Sequence, residues 1–148
     1  MQDTTRVRSS VKKLIEINRK RFANYREAAR QFTTLELKAL FMNFALQSVR
    51  FRKDLYQWIE ESEAKIDSST DNAEENSGVS RNSSREFSFS NFVVLEEEAL
   101  RIYQAVLATS FFPLDALKQI DAQVKEIEGA RNVFKVIRGG LSKQLNAA

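Results

Sequence analysis

A chain of 148 residues with one Pro and four Gly is long enough to bury its own core and too poor in turn residues for an architecture of many short strands. It has no Cys and no His, which excludes disulfides, thiolate chemistry, imidazole bases, imidazole metal ligands and a Ser-His triad. The net charge of +3 is unevenly placed: residues 1–60 hold 13 Lys and Arg against 6 Asp and Glu (+7), and residues 61–148 hold 10 against 14 (−4). Either the two halves attract each other, which is the favoured reading, or the basic half meets an acidic partner.

The first helix is expected to begin near Asp3, Thr4 or Thr5, each able to cap it. Its apolar face reads Val11, Leu14, Ile15, Phe22, Tyr25, Ala29 and Phe32, with Asn18 set among them. Lys12, Lys13, Arg19, Lys20, Arg26 and Arg30 occupy the other side. Residues 1–10 are polar and lack the apolar centre of a signal peptide. No apolar run approaches the roughly 20 residues that span a bilayer. A cytoplasmic location is expected.

Thr33 and Glu36 have capping-box spacing at the start of the second helix. The gap is so short that the first two helices should form an antiparallel hairpin. The second helix, running to about residue 60, organises the chain: Leu37, Phe41, Phe44, Phe51, Leu55 and Trp58 recur in helical steps, and the rhythm passes through Ser48. One hydroxyl therefore interrupts an apolar stripe.

From residue 62 to 82 the composition turns to Asp, Glu, Ser and Asn, which predicts a flexible linker over about 62–85. About twenty extended residues reach roughly 60 Å. A helix of about 25 residues is only about 37 Å long. The linker can thus carry the chain back along the bundle, so that helices two and three run parallel. Ser83 and Glu86 repeat the capping-box spacing. The third helix then carries Phe89, Val93, Glu96, Leu100, Tyr103 and Leu107 on one stripe, flanked by Phe92, Ala99 and Val106. Ser110 and Pro113 suit the start of a fourth helix bearing Leu117, Ile120, Val124, Ile127, Phe134 and Ile137. Gly139 and Gly140 are expected to stop it and leave residues 141–148 frayed. Most of the eleven Phe belong to the core, and those near the corners, Phe87, Phe89, Phe111 and Phe112, could instead mark a dimer face.

The two halves rhyme. Asn18 precedes Tyr25 by seven residues, as Glu96 precedes Tyr103. Two hairpins joined by a long crossover predict an all-α, ferritin-like four-helix bundle in a single domain over 1–148. Residues 14–29, through Asn18, Tyr25 and Ala29, followed by Leu37 and Phe41, resemble an uncharacterised bacterial ferritin-like family related to the YciE/YciF-type stress-associated proteins. Glu96, Tyr103 and Leu107 are similar to that family's third helix. Before Glu96 the chain lacks the aromatic-rich stretch of the family. The resemblance implies a stress-related role.

A ferritin-like di-metal centre takes a Glu from each of two helices and a Glu-x-x-His pair from each of the others. The seam here offers Asn18, then Ser48 with Phe51, then Glu96, then Val124 with Ile127. One carboxylate remains, so no metal and no cofactor are expected. Asn18, Tyr25, Ser48, Glu96 and Tyr103 form a candidate polar cluster in the core. Glu96 is expected to bond to Asn18, Ser48 or a tyrosine hydroxyl, with Arg131 directed to solvent rather than to Glu96. The favoured reading is a non-catalytic structural or interaction protein, a homodimer with a possible further protein partner, and not an enzyme. One alternative is a di-metal carboxylate oxidase or peroxide-handling protein with iron or another divalent metal in an all-oxygen shell around Glu96. A second is a nucleic-acid or anionic-surface binder using the basic face of the first helix.

Overall fold

Long stretches without Gly or Pro give the chain its helices. The computed structural model describes residues 2–59, 89–109 and 112–147, with side chains described over 6–59, 89–109 and 112–140. These residues form four helices and no strand: α1 (Gln2–Gln31), α2 (Leu35–Tyr56), α3 (Phe89–Thr109) and α4 (Leu114–Ala147). None is long and apolar enough to cross a membrane.

Contacts between helices fix their directions. Along α1 and α2, Arg21 meets Ser48, Tyr25 meets Phe44, and the Lys38 ammonium reaches the carbonyl of Ala29, so the pair is antiparallel. Along α1 and α3, Asn18 meets Tyr103 and Arg21 meets Glu96, again antiparallel. Along α2 and α4, Trp58 meets Gln119, Gln47 meets Glu126 and Phe41 meets Phe134, a third antiparallel pair. Helices α2 and α3 therefore point the same way. Ile59 lies in the core cluster of Val11 and Phe112, whereas Phe89 packs on Phe32 and Phe41 at the opposite end. The chain must travel the length of the bundle between them. The expected linker and the Ser83–Glu86 capping box lie outside the described residues, as do Ser110, Phe87 and Phe111.

Several element boundaries differ from the sequence expectation. The residue preceding α2 is Thr34, not Thr33, and its side chain makes no capping hydrogen bond. The carbonyl of Pro113 accepts the amide of Leu117, so Pro113 stands just before α4 rather than inside its first turn. Gly139 and Gly140 do not end α4, which runs through Ala147. A glycine stop needs a left-handed backbone, and neither residue has a positive φ.

The core falls into two apolar clusters. One is mainly aliphatic and includes Val11, Leu14, Leu55, Leu100, Ile120 and Ile127. The other is aromatic: the rings of Tyr25, Phe41, Phe92 and Phe134 lie with centroids 4.8 to 6.1 Å apart, and Phe32, Phe44 and Phe89 pack around them. Each such side chain stabilises the fold by roughly 1.5–3 kcal/mol through burial. Every described Phe is buried or half-buried. Between the two clusters lies a layer of polar side chains.

Candidate functional site

The polar layer is built by one residue or two from each helix. Asn18 and Arg21 come from α1, Gln47 and Ser48 from α2, Glu96 and Tyr103 from α3, and Gln123 from α4. All but Gln47 are buried, and Asn18, Arg21, Ser48, Glu96 and Tyr103 are fully so. Each sits at a core position of its helix, because the 3.6-residue repeat carries a polar residue inward as readily as an apolar one.

Arg21 is the hub. Its Nε donates to Glu96 Oε1 at 2.7 Å and its Nη2 to Glu96 Oε2 at 2.8 Å, a bidentate pair. Nη2 also donates to Gln47 Oε1 at 2.6 Å. Nη1 donates to Asn18 Oδ1 at 2.9 Å and to Ser48 Oγ at 3.2 Å. All five guanidinium N–H donors are used. The network then extends outward. Asn18 Nδ2 donates to the Leu14 carbonyl and to the Tyr103 hydroxyl, which donates in turn to Gln123 Oε1 at 2.6 Å. Gln123 Nε2 closes on the Phe51 carbonyl, and Ser48 Oγ on the Phe44 carbonyl. The guanidinium carbon lies 5.6 Å from the ring centroids of both Tyr25 and Phe51.

Of the expected cluster, the structure brings Asn18, Ser48, Glu96 and Tyr103 into one network. Tyr25 borders it, but its buried hydroxyl has no hydrogen-bond partner. The expected environment of Glu96 is corrected. It does not stand as a single charge among neutral groups, and its carboxylate bonds to Arg21 rather than to Asn18, Ser48 or a tyrosine. Arg131 is remote from this pair and bonds its neighbour Asn132. On α4 the buried seam residue is Gln123, and Val124 is only half-buried. The sequence does not single out Arg21, because Phe22 beside it fits the apolar face expected of the first helix. The signal lay in the steps Leu14, Asn18, Arg21, Tyr25, Ala28 and Phe32.

The surroundings keep the Arg21 guanidinium charged. Burial pulls the Arg21 guanidinium down, but the charge and hydrogen bonds of Glu96 outweigh it and hold Arg21 above its ordinary value. Burial also raises the Tyr103 hydroxyl, with Asn18 and Arg21 opposing. Tyr25 is pushed well above the usual phenol range by burial and by the Glu96 charge, against the pull of Arg21. Both tyrosines stay neutral, Tyr103 as a hydrogen-bonding group and Tyr25 as a packing group.

The layer does not suit a di-metal centre. Both oxygens of Glu96 face the guanidinium, so a divalent ion there would meet a fixed cation. Among the described residues no three Asp or Glu side chains converge. Two further ion pairs join the basic first half to the acidic second, Lys20 with Glu98 at 2.8 Å and Arg50 with Glu126 at 2.6 Å, whereas Arg30–Glu27, Lys125–Asp121 and Lys135–Glu97 each lie within one half. The two that join the halves are exposed and contribute little to stability each. No family model, curated protein or solved structure matches the chain. The class that stands is an all-α protein whose described residues form four helices around a buried ionic layer.

Proposed function

We propose that the chain is a non-catalytic structural or interaction protein, a ferritin-like bundle whose centre is closed by an Arg–Glu pair where metal-bearing members of that fold carry ions. The observation that carries this reading is the bidentate Arg21–Glu96 pair with every guanidinium donor satisfied. A carboxylate so held is fully buried, with both oxygens bonded to a fixed cation. The parallel run of α2 and α3 supports the ferritin-like arrangement, and the resemblance along α1 and α2 supports a stress-related role in the cytoplasm. The Lys20–Glu98 and Arg50–Glu126 pairs favour mutual attraction of the two halves over an anionic ligand on α1.

Elemental analysis of protein purified from cells supplemented with iron and zinc tests the reading. The expected result is no stoichiometric metal and no oxidase activity toward ferrous iron. One or two ions per chain that disappear in Glu96→Ala would overturn it in favour of a carboxylate-bound metal oxidase.

A further inference from the structure

Helix α2 is apolar on two sides. Its inner side, with Phe41, Ser48, Phe51 and Leu55, faces the core. On the opposite side Leu35, Ala39, Met42, Leu46 and Val49 follow one another in steps of four and three. Leu35 is 82% exposed, Met42 42% and Leu46 57%; Ala39 is also exposed, and Val49 is half-buried. This spacing averages 3.5 residues, the repeat of a coiled-coil seam, and no described helix covers it. The fourteen residue steps from Leu35 to Val49 extend about 21 Å.

The edge of this stripe carries a charge pattern that selects a partner. Glu36, Asn43 and Arg50 lie one heptad apart and run acid, neutral, base. A second α2 packed antiparallel presents the same row reversed. Glu36 then faces the partner's Arg50, and Asn43 lies beside its own copy. The apolar residues match within two residues of that register, an offset of about 3 Å along the helix: Leu35 and Val49 lie seven residues on either side of Met42, and Ala39 and Leu46 lie three before and four after it. A parallel pairing would instead set Glu36 on Glu36 and Arg50 on Arg50. Arg50 retains Glu126 of its own chain as a neighbour and its side chain remains 57% exposed.

We infer that the outer face of α2 binds a second copy of this chain about a two-fold axis passing near Met42. The inference deepens the interaction reading above by naming the partner, and it is tested by oligomeric state, which is independent of metal content.

Light scattering on the full chain at micromolar concentration should give twice the 17.0 kDa chain mass. Leu46→Glu should give a monomer with unchanged helical circular dichroism. The chain contains no Cys, so Met42→Cys introduces a lone thiol. Mild oxidation should link it into a covalent dimer, whereas Val94→Cys, an exposed site on α3, should remain uncoupled. A wild-type monomer overturns the inference, whether or not it captures another protein. So does a dimer that survives Leu46→Glu and in which Met42→Cys fails to couple.

Discussion

Arg21 and Glu96 are both fully buried, and each is tolerable inside the bundle only because the other is present. Removing one charge leaves its partner desolvated, which costs about 3–5 kcal/mol, whereas replacing both by apolar residues of similar volume is often neutral or stabilising. Glu96→Leu should therefore lower the urea midpoint sharply, and Arg21→Met should do the same. The double variant Arg21→Met with Glu96→Leu should recover most of the loss. A loss in the double variant equal to the sum of the two single losses would show that the two side chains do not act as a unit. This layer was partly legible in the sequence. Asn18, Ser48, Glu96 and Tyr103 are polar residues at positions where the helical repeat demands apolar ones, and they do converge. The hub was not legible by the same route, because an arginine in a basic helix is read as solvated, and Phe22 beside it offered an easier apolar assignment. Phe22 is in fact half-buried, with the guanidinium carbons of Arg26 and Arg52 5.9 and 5.4 Å from its ring centroid.

At the scale of the element, α4 shows how far composition alone can be trusted. Its Gly139–Gly140 pair looks like a terminator, yet termination requires a backbone conformation that neither residue adopts. Gly129 lies in the same helix, exposed, and a methyl group added there meets nothing within 4 Å. Glycine in a helix interior costs about 0.5–1 kcal/mol relative to alanine through backbone entropy. Gly129→Ala should therefore raise stability by about that amount, read as an increase in the urea midpoint with an unchanged slope. A decrease would mean that the added methyl disturbs packing on this side of α4. The seam of α4 lies one residue from the expected position for a related reason. Val124 is the more apolar residue, but Gln123 is the one whose position faces Tyr103 and the carbonyl of Phe51. Apolar character does not mark the interior at this level, because the interior there is polar.

At the scale of the molecule, the four helices and the parallel run of α2 and α3 were legible, because connection lengths constrain direction. Three residues between α1 and α2 allow only a reversal, whereas 29 residues between Ile59 and Phe89 allow a return along the bundle. Which route the chain takes is decided by the polar layer and the aromatic cluster together. Turning α3 end for end would move Phe89 and Phe92 into the aliphatic end, away from Phe32, Phe41 and Phe134. The connection must then bridge about 18 helical residues of axis between the levels of Ile59 and Phe41, roughly 27 Å. Deleting residues 66–77 leaves 17, which extend to about 56–61 Å and still suffice. That variant should keep its helical content and its stability within about 1 kcal/mol, since closure entropy changes only slowly with length. Cutting the connection to six residues limits its reach to about 20 Å, too short for the observed topology. The chain should then lose its cooperative unfolding transition or exchange hairpins with a second copy into a larger species visible by light scattering. A stable, cooperative chain with six residues and unchanged mass would require α2 and α3 to be antiparallel neighbours, and the Arg21–Glu96 register would have to be abandoned with it.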